Sequence, residues 1–383
     1  MHFLNLTLAV LATLSCLLQL WQWLATRSFP LHEKAPLSGF APAISILKPL
    51  KGCDESTAAS LRSWCRQIYA GPTEILFGVA DTGDPACELV RRVIAENPGC
   101  QARLIVCEHL TGANAKVAKL AQLQMLAAHE LILISDADVR VPPDFLDNFA
   151  APLRDEKTAL VNCFYLLANP ATKAMQCEAV AINADFWSQV LQSQTLHPLD
   201  FALGAAILVR RRALDEIGGF AWLANFLADD YQLGRRIARN GHQIALSPVV
   251  VECWDSRKNW RQVWKHQLRW ARTIRVCQPA PWFFSCLSNA SLWPGLWLAA
   301  AAVSGSFLRV APVAGGFLLL RILLARNLQR RFTLERRLVS PFWLTLVKDL
   351  LQAAIWLASF LGGTVEWRGR KMKVRRDGIL MDI

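Results

Sequence analysis

The sequence predicts an α/β fold on a mostly parallel sheet, framed by membrane-embedded helices at both ends. Three observations carry that expectation. Short apolar runs alternate with helix-like stretches over 43–253, which is the pattern of strand–helix–strand units. Residues 3–24 are apolar for long enough to cross a bilayer, and 282–320 are apolar apart from Arg309 and a few small polar residues. The composition agrees: 53% of the 383 residues are hydrophobic, 15 are Trp, and the mean hydropathy is +0.25. Trp is a residue of membrane–water interfaces.

In chain order, residues 1–26 read as an uncleaved transmembrane anchor. They lack the basic leader and small-residue cleavage site of a signal peptide and exit through Trp21-Gln22-Trp23. Arg27, His32, Lys34, Lys48 and Lys51 follow, so the positive-inside rule puts the next domain, 42–280, in the cytoplasm. Within it, 44–47, 74–80, 104–106 and 131–134 are expected as buried strands. Asp84 caps a helix that has Pro85 at its first position and runs to 95. A second helix covers 115–128, and a third, 230–240, ends on Gly241 as a left-handed terminator.

Residues 170–192 place Met175, Ala179, Ile182, Phe186 and Val190 at helical spacing. That pattern fits a core helix or a helix lying where a lipid enters from the membrane. In 259–276, Arg261, Lys265, Arg269, Arg272 and Arg275 share one helix face, expected to lie toward lipid headgroups. The segment 281–363 is read as C-terminal membrane helices, with two spans in 282–320 turning near Arg309. A basic loop (Arg326, Arg330, Arg331, Arg336, Arg337) follows, and then a re-entrant or interfacial stretch, 341–363, with Lys348-Asp349 near the headgroups. Residues 364–383 form a basic cytoplasmic tail.

Lys and Arg number 42 against 30 Asp and Glu, a net charge of +12. That excess suits anionic lipid headgroups and a phosphate-bearing substrate. Nucleic acid is not the expected partner, because the basic residues flank apolar segments instead of forming a soluble face. The 11 Cys show no CxxC or Cys/His metal spacing and are expected as reduced thiols.

Chemistry concentrates in four places. Asp136-Ala137-Asp138 follows an apolar strand, and carboxylates at such strand ends face the crevice where open α/β sheets bind ligands. Two carboxylates one residue apart can hold Mg²⁺ or Mn²⁺ together with phosphate oxygens, and the cation would neutralise a departing nucleoside diphosphate. Taken alone, the triplet equally describes a solvated turn. Asp81 ends another strand and can accept from a nucleoside base or ribose. In Asp229-Asp230, Asp229 reads as a helix cap, whereas Asp230 is the candidate general base for an acceptor hydroxyl. In Gln267-Leu268-Arg269-Trp270, the Arg269 guanidinium can bind diphosphate oxygens, and the Trp270 indole can pack on a sugar or the acceptor.

This ordered set resembles the ceramide-glucosyltransferase-like family and the similar bacterial hopanoid-biosynthesis glycosyltransferases. The likeness extends from Ile44-Ser45-Ile46-Leu47-Lys48-Pro49-Leu50-Lys51-Gly52 to Trp367-Arg368-Gly369-Arg370. It takes in Asp81, Asn114-Ala115-Lys116, Asp136/Asp138, the Gly204–Arg211 region, Asp229-Asp230-Tyr231 and Q-x-x-R-W. The resemblance implies a GT-A (Rossmann-like) fold, a UDP-sugar donor, a divalent metal, inversion at the anomeric carbon and a membrane lipid acceptor. By position it implies that Asp81 and Lys116 contact the donor and that Asp136 and Asp138 hold the metal and diphosphate. It makes Asp230 the base and has Gln267, Arg269 and Trp270 complete the site. Animal members often lack the second carboxylate of D-x-D, so Asp138 points to a bacterial branch in the inner membrane. Asp138 leaves the acceptor open; on the resemblance alone, UDP-GlcNAc and a bacteriohopanetetrol-type hopanoid are the favoured pair, with UDP-glucose and ceramide the alternative. A processive polysaccharide synthase and a non-catalytic membrane scaffold rank below these.

Overall fold

The computed structural model describes residues 2–36, 39–367, 370–375 and 377–382. Arg368 and Gly369 of the Trp367–Arg370 motif, and Arg376 of the basic tail, lie outside the described residues. The strands are β1 (Ile44–Pro49), β2 (Thr73–Val79), β3 (Ala102–Val106), β4 (Leu131–Ser135), β5 (Val139–Arg140), β6 (Thr158–Leu167), β7 (Ala206–Arg210) and β8 (Gln243–Cys253). They form one sheet in the order β3-β2-β1-β4-β7-β6-β8-β5.

The first four strands are mutually parallel, as right-handed helical crossovers require. The second half departs from a mostly parallel sheet. β7 runs antiparallel to both β4 and β6, β6 and β8 are parallel, and β5 is antiparallel to β8. A strand buried on both faces shows the same apolar run whichever way its neighbour points, so strand direction was not readable there.

Helices cover both faces. On one, Thr57–Cys65 and Ala86–Glu96 pack with Phe145 and Phe149 over Ile46, Phe77 and Leu133. On the other, Ala115–Leu126 lays Val117, Leu120 and Leu123 over Leu47, Leu76 and Ile134. The helix begins at Ala86 with Pro85 in the capping position, and Asp84, just before it, accepts from the Ala86 amide at 2.9 Å and also from Gly52. The helix Asp229–Arg239 ends as expected, with Gly241 at φ +86°. This helix lies directly on the backbone before β7, where a Cβ at Gly234 would come within 2.5 Å of the Phe201 carbonyl carbon.

Two helices, His2–Arg27 and Phe307–Thr333, are long and apolar enough to cross a membrane. The pair Pro279–Ser288 and Leu292–Val303, bent by 50°, makes a third if it is one span. The turn before Phe307 falls at Ser304–Ser306, and Arg309 sits in the first turn of the helix that follows. That helix also absorbs Arg326, Arg330 and Arg331, so the expected basic loop is reduced to Arg336 and Arg337.

Two further expectations are corrected. Lys348 and Asp349, in the helix Trp343–Ser359, are buried instead of lying near headgroups, because each finds an opposite charge inside the protein. The basic face of Trp260–Cys277 is met by the chain's own C-terminal segment. Lys265 pairs with Glu366 at 2.7 Å, and Arg272 and Arg275 donate to the carbonyls of Leu361 and Gly362. The basic tail is a three-stranded antiparallel sheet, Thr364–Trp367, Arg370–Val374 and Leu380–Asp382.

Gly234→Ala is expected to destabilise the protein by roughly 1–3 kcal/mol, the usual cost of overpacking a rigid contact. A lower unfolding midpoint of the detergent-solubilised variant would show it, and an unchanged midpoint would mean the helix can move off residues 201–202.

Candidate active site

The site forms at the carboxyl ends of β4 and β6, where helix starts and strand ends converge. β4 ends at Ser135, so Asp136 emerges at the sheet edge, its amide donating to the Ala205 carbonyl at 3.3 Å. Asn114 caps the helix Ala115–Leu126, accepting from the amides of Lys116 and Val117. The cap sends Lys116 inward, where Nζ lies 2.8 Å from Asp136 Oδ1 and 3.3 Å from Asp229 Oδ2. Burial opposes the ammonium charge, but Asp136 and Asp229 outweigh it and hold Lys116 above its usual range.

Asp229 therefore does not act as the helix cap. The capping position is Ala228, without a side-chain cap bond, and the Asp229 carboxylate faces Lys116 and Asn114 Nδ2 instead. Asp230 is next to it. Its Oδ1 accepts from the Tyr231 amide at 2.8 Å, and its Oδ2 lies 2.6 Å from where a Cβ on Gly204 would be, so a side chain at 204 would displace the carboxylate. Burial and then the Asp229 charge push the Asp230 carboxyl up to about 6, against the pull of Lys116.

Asp138 shares the strand end with Asp136. Burial pushes it up to about 7, reinforced by Asp136 and Asp255. Lys48 at the end of β1 approaches from below, donating to Ser135 Oγ at 3.2 Å and to the Asp136 carbonyl, with its ammonium over the Trp64 ring. Desolvation lowers the Lys48 amine to about 7 despite those carboxylates.

The Q-x-x-R-W residues divide. Trp270 packs edge-on to Tyr165 (6.4 Å between centroids) and beside Phe186 (6.2 Å). The Tyr165 phenol is raised by burial, with Cys253, Asp230 and Asp136 adding to the rise and Arg269 opposing it. Gln267 is directed elsewhere: its amide donates to Glu178 Oε1 at 2.9 Å. Asp81 lies beyond β2 in an exposed turn, accepting from the Gly83 amide at 2.9 Å, on the same sheet edge but with β1 between its strand and β4.

The structure thus brings Lys116 together with Asp136 and the Asp229-Asp230 pair, beside Asp138, packs Trp270 on Tyr165 and Phe186, leaves Asp81 at the rim, and turns Gln267 toward Glu178. Sequence reasoning missed Asp229, Asn114, Lys48, Tyr165 and Glu178 as members of this neighbourhood. Lys48, Asn114 and Asp229 lie within the motif stretches that carry the family resemblance, whereas Tyr165 and Glu178 carried no signal.

A sequence profile of glycosyl transferase family 21 matches residues 4–380. The chain belongs to that family. Ceramide glucosyltransferase 3 of Caenorhabditis elegans is 28% identical over 229 residues, covering 58% of this chain and 49% of that protein. Ceramide glucosyltransferase 1 of the same organism is 27% identical over 224 residues, covering 57% and 47%. The chain thus spans about half the length of these relatives. Among solved structures, the mannosyltransferase PcManGT of Pyrobaculum calidifontis, in complex with GDP-Man and Mn²⁺, superposes with a TM-score of 0.56 at 20% identity over 93% of this chain and 97% of that one. The GT-A fold is shared.

Within this family 21 chain, Glu178 anchors the Q-x-x-R-W helix. Its buried carboxylate accepts from His266 Nδ1 at 2.6 Å as well as from Gln267, with Lys258 Nζ at 3.6 Å. Burial opposes its charge, but His266, Lys258 and Gln267 together hold the carboxyl below its usual range. Glu178→Ala is expected to cost roughly 3–5 kcal/mol, because it leaves buried donors without their acceptor. Denaturant unfolding in detergent measures this; an unchanged midpoint would mean that water replaces the carboxylate.

Proposed function

We propose that this chain transfers one sugar from a UDP-sugar to a hydroxyl of a membrane lipid, with inversion at the anomeric carbon. The observation that carries the reading is Asp230: a half-buried carboxylate pushed up to about 6, in the same strand-end crevice as Lys116 and Asp136. A base of that strength is largely ionised at neutral pH yet still accepts a proton readily. In this reading, Asp230 takes the proton from the acceptor hydroxyl while that oxygen bonds to the anomeric carbon. The bond to the diphosphate breaks on the opposite face, and UDP departs. Arg269 and Lys116 supply fixed positive charge where the diphosphate gains negative charge.

The donor set at the end of β4 suits a divalent cation. Asp136 and Asp138 offer hard oxygen ligands; burial and then the Asp136 and Asp255 charges push Asp138 up to about 7, and a bound cation would favour its ionised form. Among the described residues no third His, Cys, Asp or Glu joins them in a metal-binding group, so phosphate oxygens and water would complete the shell, as is usual for Mg²⁺. When bound, the cation supplies Lewis-acid stabilisation of the leaving diphosphate.

The two long apolar helices support action at a membrane, and the basic residues after the first support a site on its cytoplasmic side in a bacterial inner membrane. The resemblance to bacterial hopanoid-biosynthesis glycosyltransferases is the ground for UDP-GlcNAc and a hopanoid polyol such as bacteriohopanetetrol as the first reading. The names of the curated relatives favour UDP-glucose and ceramide as a second reading.

Asp230→Asn is expected to abolish sugar transfer while leaving UDP binding by calorimetry nearly intact. The groups facing Asp230 are Asp229, Lys116, Asp136, Tyr165 and Cys277. Because its carboxyl is raised, the active ionised form is lost as pH falls through about 6. kcat/KM should then drop about tenfold per pH unit below that point and level off above it. A variant that turns over like the wild type, or a flat profile between about pH 5 and 8, removes Asp230 from the base role.

A further inference from the structure

Residues 173–194 form one helix in three parts: Lys173–Val180, a π-helical turn Ala181–Phe186, and Trp187–Gln194. A π-turn inserts an extra residue into the helix, with poorer hydrogen-bond geometry, and such turns recur at functional sites. This one divides the helix's contacts. Glu178, before it, grips His266 and Gln267 on the Q-x-x-R-W helix. At its end, adjacent residues part company: Phe186 lies 6.2 Å from Trp270 and 5.5 Å from Tyr165 between ring centroids, while Asp185 reaches into the membrane helices.

There Asp185 meets a buried ionic quartet. Arg321 binds it with both terminal nitrogens, at 3.0 and 2.8 Å, and binds Asp349 through Nε at 2.8 Å and Nη2 at 2.9 Å. Gln19 of the first apolar helix accepts from Arg321 at 2.9 Å. Lys348 contacts Asp185 and lies 2.7 Å from Asp349. Two positive and two negative groups balance, and all four are less than a tenth exposed. Buried charge is not an economical way to stabilise a fold, since apolar residues of similar volume usually do as well. Ionisable groups among apolar helices generally mark function. What this quartet specifies is geometry: a forked guanidinium admits few positions for its carboxylates.

We propose that the Asp185–Arg321–Lys348–Asp349 quartet is a positioning device for the acceptor side of the site. It holds the π-turn so that Phe186 stays against Trp270, and through that contact the membrane helices set the seat of the lipid. The inference rests on the reading that Trp270 borders the acceptor. None of the four is a catalytic residue; they act through Phe186.

The test uses the full chain in phosphatidylcholine–phosphatidylglycerol nanodiscs. Hydrogen exchange is compared between wild type and Asp185→Asn without substrate. Exchange is expected to rise in 181–186 and also in 266–273, while β4 stays protected. Steady-state kinetics with UDP-glucose or UDP-GlcNAc, and ceramide or bacteriohopanetetrol, should show the acceptor KM raised roughly tenfold, the scale of one lost aromatic contact. The donor KM should stay within about twofold, because uniform donor binding is untouched. Phe186→Ala should reproduce the acceptor effect, and combining it with Asp185→Asn should add little, because the two act in series. If Asp185→Asn does not fold, Asp349→Asn loosens the same quartet from the membrane side and takes its place.

Unchanged exchange in 266–273, donor and acceptor KM rising together, or multiplying effects in the double variant would each overturn the proposal. If wild type glycosylates neither lipid, the functional reading fails, and the exchange pattern alone still decides whether the quartet controls the Trp270 segment.

Discussion

A buried ammonium is the element on which the site depends. Lys116 lies between Asp136, at the end of β4, and Asp229, at the start of the helix Asp229–Arg239. Without it, three neighbouring acids, Asp136, Asp229 and Asp230, would repel one another with no cation between them. With it, the helix start is tied to the strand end. The glycine contacts at Gly234 and Gly204 then let the helix approach closely enough to bring Asp230 beside the backbone before β7. The cost of burying the lysine is offset by two carboxylates and by an Asn114 cap that directs the helix start into the crevice. The strained electrostatics extend outward: burial raises both Asp138 and Asp230, and neighbouring carboxylates add to the rise.

A second layer of buried charge holds the site to the apolar helices. The helix over 173–194 has one acid gripping the Q-x-x-R-W helix and another gripping Arg321 and Lys348. The C-terminal strands complete the arrangement by satisfying Lys265, Arg272 and Arg275 with a carboxylate and backbone carbonyls. Cations that a helical projection assigns to lipid headgroups are thereby used to close the protein on itself.

Much of this was legible in the sequence where local physics decides. The runs of β1, β2 and β4 are apolar on both faces and could only be central strands, and an acidic triplet straight after β4 had to lie at the sheet edge. Asp84 and Gly241 announced helix ends through capping and left-handed backbone. The rest depends on partners distant in sequence. Asp229 looks like a helix cap until Lys116, more than a hundred residues earlier, is brought beside it. Lys348-Asp349 looks like an interfacial pair until Asp185 and Arg321 supply opposite charges in the interior. The direction of β7 left no trace, because a fully buried strand has no polar face to orient it. The family resemblance singled out Trp270, whose ring the structure packs against Tyr165 and Phe186. Gln267, three residues before Trp270 on the same helix, points to Glu178, a contact only the packed helix pair reveals.

The central claim is a single displacement at the anomeric carbon, with one carboxylate as base and a lipid hydroxyl as nucleophile. The most direct measurement is proton NMR of the anomeric centre in lipid product from membranes containing the chain, supplied with UDP-glucose or UDP-GlcNAc and with ceramide or bacteriohopanetetrol. The account predicts one β-linked sugar per lipid from the α-linked donor. An α-linked product, a sugar polymer, or free sugar with no lipid product would contradict it.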